Sequence, residues 1–113
     1  MHPSARSLHY ACRITLFTRA NCSLCNDAKR TLSEVQAVRP FHLKEIDVMR
    51  PEGIEWKRLY EFDTPVIHVS KSEWGEEDPS NSAKAAKLMH RFQPEDVKAK
   101  MDTVEEAESE RQD

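Results

Sequence analysis

The stretch Arg13-Ile14-Thr15-Leu16-Phe17-Thr18-Arg19-Ala20-Asn21-Cys22-Ser23-Leu24-Cys25 decides the fold. Ile14 to Thr18 is an unbroken run of β-branched, apolar and aromatic residues, which suits a buried central strand. Beyond the first thiol, Leu24, Ala28, Leu32 and Val35 recur at i, i+4, i+8 and i+11, one face of a 3.6-residue period. Lys29, Arg30 and Glu34 lie off that stripe, and Pro40 bounds the helix on its far side. Two thiols thus stand between a strand and a helix. The strand fixes one end of their loop, and the helix N-terminus stabilises a thiolate at the other. Reversible dithiol–disulfide chemistry needs that arrangement.

Working outward, residues 41–48 read as a second strand with imperfect alternation. Ile54 to Phe62 is expected as a helix entered at Gly53, with Trp56, Leu59 and Tyr60 on one face. Asp63-Thr64-Pro65 stops it, and Val66-Ile67-His68-Val69 follows as a short strand; a proline at the first residue of a strand is tolerated. Residues 70–83 hold Gly75, Pro79, Asn81, four acidic residues and four serines, the composition of an exposed hairpin loop longer than usual. Lys87 to Phe92 reads as a last strand with Leu88, His90 and Phe92 facing one way. Pro94 opens a final helix whose buried stripe is Val97, Met101 and Val104; Glu95 and Asp96 suit the positive end of its dipole. The element order is β-α-β-α-β-β-α. The first two strands should be parallel and the last two a hairpin, giving a four-stranded mixed sheet flanked by helices. Residues 1–12 are expected to be a flexible N-terminus, 13–104 one domain, and 105–113 an acidic tail fraying into solvent.

A chain of 113 residues is enough for one compact domain. The net charge of −3 argues against a general nucleic-acid binder, which usually needs a basic face. No apolar stretch approaches the ~20 residues of a membrane helix. Met1 to Arg13 lacks a continuous apolar segment, so no signal peptide is expected. That segment holds Arg6, Arg13, two serines and no acid. It loosely resembles a mitochondrial presequence, although a short disordered N-terminus is the simpler reading. The expected compartment is the cytoplasm, with the mitochondrion as the alternative. Three cysteines do not build a secreted disulfide framework; they fit one reactive pair in a reducing compartment with Cys12 as a spare thiol, a small buried or strand-edge hydrophobe.

The element order, the C-x-x-C after the first strand and Thr64-Pro65 before the third together resemble the thioredoxin fold in its glutaredoxin type, an α/β three-layer sandwich. The chain is similar to the small eukaryotic glutaredoxin-like proteins that carry C-x-L-C. That resemblance implies a thiol–disulfide oxidoreductase with Cys22 as nucleophile, Cys25 as resolving thiol and a Cys22–Cys25 disulfide in the oxidised form. It implies a cis Pro65 beside the cysteines, where an ordinary strand-start proline is trans. It also implies that the Thr64 backbone pairs with an extended substrate, and that Arg19 meets the glycine carboxylate of glutathione. Expected partners are a disulfide-containing protein or a glutathione mixed disulfide. Glutathione is the candidate reductant, no resident cofactor or metal is expected, and the chain is expected to be a monomer. Two departures stand out. Ser23-Leu24 replaces the usual Pro-Tyr between the cysteines. Phe92-Gln93-Pro94-Glu95-Asp96 stands, without glycine, where the family tends to carry a glycine pair for the γ-glutamyl group.

Two rivals come from other classes. One is a metal or iron–sulfur module on Cys22 and Cys25, although one C-x-x-C supplies only two of the four ligands a structural zinc takes. The other is a thioredoxin-fold adaptor with little turnover. His9, His42, His68 and His90 show no metal-ligand spacing and read as surface or strand residues. Trp56 reads as core, and Trp74 as an exposed loop residue.

Overall fold

The computed structural model describes residues 10–107. Strand β1 (Cys12–Thr18) leads into helix α1 (Ser23–Val38), then β2 (His42–Asp47), α2 (Ile54–Tyr60), β3 (Val66–Lys71), β4 (Ala86–Met89) and α3 (Pro94–Glu106). The sheet order is β2-β1-β3-β4. β1 and β2 are parallel, with Arg13 opposite His42 and Thr18 opposite Asp47. β3 runs antiparallel to β1 and to β4. The expected mixed sheet with flanking helices is the observed architecture.

The burial of each strand explains its sequence. β1 and β3 are central and almost wholly buried, so both are continuous runs. β2 is an edge strand whose residues are half-buried or exposed, which accounts for its weak alternation. Side chains of β1 and β3 alternate between two cores. Ile14, Leu16, Ile67 and Val69 pack against Ala28, Leu32 and Val35 of α1 and Val97, Met101 and Val104 of α3. Phe17 and Val66 face the other way, onto Trp56 and Tyr60 of α2. Arg39, just past α1, ties the two large-core helices together through Asp102 (2.8 Å) and Glu105 (3.1 Å) of α3.

Several boundaries differ from the sequence-based expectation. β4 is Ala86–Met89, not 87–92, because His90 adopts φ 66° and ends the strand; Phe92 is buried while His90 is exposed. α2 stops at Tyr60, and Leu59 points outward (39% exposed), so the buried face is Trp56 and Tyr60 alone. The 70–83 segment does join the antiparallel strands β3 and β4, but it is more ordered than an exposed loop: β3 continues to Lys71, and two 3₁₀ turns, Ser72–Trp74 and Pro79–Lys84, lie within the connection. Trp74 is half-buried against the larger core, with the Lys71 ammonium 5.9 Å above its ring centre. β1 starts at Cys12, and α3 runs on to Glu106 through the first residues of the expected tail. At the start of α3 the Gln93 N–H donates to the Asp96 carboxylate at 2.8 Å. His9 lies outside the described residues.

Candidate functional site

Asn21 adopts φ 57°, a left-handed conformation that asparagine tolerates better than most residues, and so turns the chain from β1 into α1. Cys22 is then the N-cap residue of α1, with extended backbone (φ −127°, ψ 105°). Its sulfur accepts the Cys25 N–H at 3.2 Å, where helices more often use a serine or aspartate oxygen. No acidic side chain lies in the first turn, so nothing there opposes the positive end of the helix dipole. The Cys22 and Cys25 sulfurs are at bonding distance, with Cα atoms 5.2 Å apart. Cys22 is half-buried, whereas Cys25 is buried on the inward stripe of α1. The two thiols therefore differ in access to solvent.

The α2–β3 loop faces this pair. Thr64-Pro65 is cis, Pro65 is buried, and the Thr64 hydroxyl lies 4.0 Å from the Cys22 sulfur. Arg19 comes to the same loop, but for a different partner: its guanidinium donates to the Glu61 carbonyl at 2.6 Å, capping the C-terminal end of α2. The groove beside Arg19, about 310 Å³, also holds Lys29 and the carboxylates of Glu45, Asp47 and Glu52.

Three features of the site carry no sequence signal of their own. The His90 N–H donates to the Pro65 carbonyl at 2.7 Å, which fixes the end of β4 against the loop, and the His90 ring lies 3.5 Å from the Asp63 carboxylate. A second groove, about 320 Å³, runs between α1 and the residues after β4; Leu24, Ala28, Arg30, Thr31, His90 and Arg91 line it. Phe62, two residues before Thr64, is 88% exposed. Among the described residues no group of three or more His, Cys, Asp or Glu side chains is placed to hold a metal ion, and no helix is long and apolar enough to cross a membrane.

A mixed four-stranded sheet between helices, with a cysteine pair at a helix N-terminus facing a cis proline, defines a thioredoxin-fold protein with a redox-type site. Residues 13–102 match the family model "Glutaredoxin-like domain (DUF836)", and the chain belongs to that family. Solved structures share the fold. Protein XcR50 from X. campestris is 20% identical and superposes at TM-score 0.55 over 80% of this chain and 96% of its own. Thioredoxin-2, a component of the malaria parasite protein secretion machinery, is 14% identical at TM-score 0.60 over 82% of each chain. A thioredoxin from Thermus thermophilus is 19% identical at TM-score 0.57 over 91% of this chain and 82% of its own.

Proposed function

We propose that this chain is a thiol–disulfide oxidoreductase. The observation that carries the reading is the Cys22 sulfur at the N-cap of α1, accepting an amide N–H, with the buried Cys25 sulfur at bonding distance. The Cys22 thiolate attacks a substrate disulfide R–S–S–R′, forming a Cys22–S–S–R′ bond and expelling R–S⁻, which takes a proton from solvent. The Cys25 thiol gives up its proton, attacks the Cys22 sulfur and expels R′–S⁻. The protein ends as the Cys22–Cys25 disulfide, and two electrons have passed to the substrate. High effective concentration favours the second step. An external thiol reductant then resets the pair, with glutathione as the candidate. The substrate is a protein disulfide or a glutathione mixed disulfide, and the setting is a reducing compartment such as the cytoplasm.

The same N-cap position stabilises the attacking anion, so the Cys22 thiol should ionise well below ~8.5. The test is iodoacetamide alkylation of the reduced protein against pH, followed by turnover of a mixed glutathione disulfide with glutathione or thioredoxin reductase offered separately. Cys22→Ser should abolish turnover. Cys25→Ser should accumulate a covalent Cys22–substrate adduct visible by intact mass. Normal biological activity of Cys22→Ser would overturn the reading in favour of an adaptor.

A further inference from the structure

The two flanks of the cysteine pair differ in chemistry. On the α2 flank, the Phe62 ring is almost fully in solvent two residues from Thr64, and Leu59, one turn before it, is also partly exposed. The groove on this flank sets three carboxylates (Glu45, Asp47, Glu52) against two cations, and Arg19 is already engaged by the Glu61 carbonyl. Lys29 pairs with Glu45 at 3.6 Å, so the lining is left with a net negative charge that disfavours an anionic substrate end. On the β4 flank the charged side chains lining the groove are Asp27 and Arg30 from α1 and His90 and Arg91 after β4, with Asp63 of the α2–β3 loop 3.5 Å from the His90 ring. Asp27 is paired with Arg30 and Asp63 with His90, whereas the exposed Arg91 guanidinium makes no ion pair among the described residues. Between the flanks, Thr64 makes no backbone hydrogen bond among the described residues, so its N–H and carbonyl are free to receive an extended chain.

Resting on the redox reading above, we propose that the substrate is an extended protein segment whose disulfide-bonded cysteine has an apolar residue on the Phe62 side and an acidic residue on the Arg91 side. A small tripeptide thiol such as glutathione fits these flanks poorly. It has no apolar side chain to cover Phe62, and one of its two carboxylate ends would fall by the anionic groove. Covering an exposed aromatic ring is worth about tenfold in affinity or more. A single solvent-facing ion pair is worth about threefold. The apolar contact therefore sets most of the preference, and Arg91 sets its charge.

The test is single-turnover reduction, by the prereduced full chain, of short peptides whose central cysteine is joined to a chromogenic aryl thiol. The residues beside the cysteine are leucine and glutamate in either order, leucine and lysine in either order, or glycine on both sides. One order of the leucine–glutamate pair should outpace the glycine peptide by about tenfold, and replacing its glutamate by lysine should cost about threefold. Phe62→Ser should erase the leucine advantage, and Arg91→Glu should turn the charge preference towards lysine. Both side chains are exposed, so the variants should fold. The inference falls if these substitutions leave the preferences unchanged, or if glutathione mixed disulfide is reduced as fast as the best peptide. Bis(hydroxyethyl) disulfide separates the two readings. Its reduction without any peptide preference overturns this inference alone; no reduction of it or of the peptides overturns the oxidoreductase reading as well.

Discussion

Cys12 shows how far surroundings can separate one thiol from two others in the same chain. It begins β1, is buried, and donates its S–H to the Glu105 carboxylate at 3.3 Å. Burial first, and the Glu105 carboxylate second, push its thiol up from the ordinary 9.0 to about 12. The thiolate is the reactive form, so Cys12 should stay unlabelled by iodoacetamide at pH 8 in the folded, reduced protein while Cys22 reacts. Mass mapping of the labelled peptides checks this. The same shift links Cys12 to stability. The folded state holds the proton above the pH at which the unfolded chain releases it. The contribution is complete below pH ~9 and drains away as pH rises towards ~12. Cys12→Ala removes packed sulfur and should be less stable at pH 7. Its deficit against the parent should shrink in urea titrations repeated from pH 8 to 11. A deficit that stays constant over that range would show that Cys12 ionises alike in both states.

The 72–84 segment is held to the sheet by a buried polar chain that no sequence period reveals. The Tyr60 hydroxyl lies 2.7 Å from His68 Nε2, and His68 Nδ1 lies 2.9 Å from Glu77 Oε1, with the His68 and Glu77 side chains both buried. One tautomer satisfies all three groups: Nδ1–H donates to Glu77 while Nε2 accepts from Tyr60. Burial, then the nearby Glu77 and Asp63 carboxylates, raise the Tyr60 hydroxyl above its ordinary range, so it remains a donor. Lys44 reaches across from β2 to Glu76 at 2.7 Å and lowers that carboxyl below its ordinary value. Glu77→Leu strands a buried imidazole N–H and should cost about 2–3 kcal/mol, whereas Glu77→Gln keeps an acceptor and should cost well under half of that. Chemical denaturation of the two variants decides it; equal losses would mean the acceptor is irrelevant. Gly53 offers a second check on element packing. A Cβ there would strike the Asp47 carbonyl oxygen and come within 2.8 Å of Ile46 Cγ2, so Gly53→Ala should destabilise by about 1–3 kcal/mol. The contrast marks what could be read from the chain. α1 was legible because Ala28, Leu32 and Val35 repeat on one buried stripe, and the cysteine pair because its spacing is local. The end of β4 was hidden because it depends on a left-handed histidine, a conformation its sequence does not demand. Glu77 meets His68, and Arg91 meets α1 across a groove, only once the sheet has folded, and nothing in the sequence marks Phe62 as exposed. The bond from Arg19 to the Glu61 carbonyl has no sequence signal, because that helix-end carbonyl is in reach only once α2 has packed.

At the scale of the molecule, the sheet divides the interior unequally. Thirteen buried residues form the core under α1 and α3, and five form the core under α2. The larger core includes the inward stripe that carries Cys25, so the cysteine pair is built on the stronger side. The facing loop, Asp63-Thr64-Pro65, hangs from the weaker side through the short α2. Regions with fewer buried apolar contacts open at lower free energy than the whole fold. Native-state hydrogen exchange should therefore find α2 and residues 72–84 opening below the global unfolding energy, while the central amides of β1 and β3 exchange only on complete unfolding. Leu32→Ala makes the distinction sharp. It should lower the opening energy of β1 and β3 by about 3 kcal/mol, the usual cost of such a cavity, because it weakens the large core. It should leave the opening energy of α2 unchanged, because that opening does not disturb Leu32. Amides of α2 that fall in step with those of β1 would mean that the two cores melt as one unit. In that case the loop facing Cys22 would be as rigid as the helix that holds it. If they separate, the loop facing Cys22 opens independently of the helix that carries the cysteine pair.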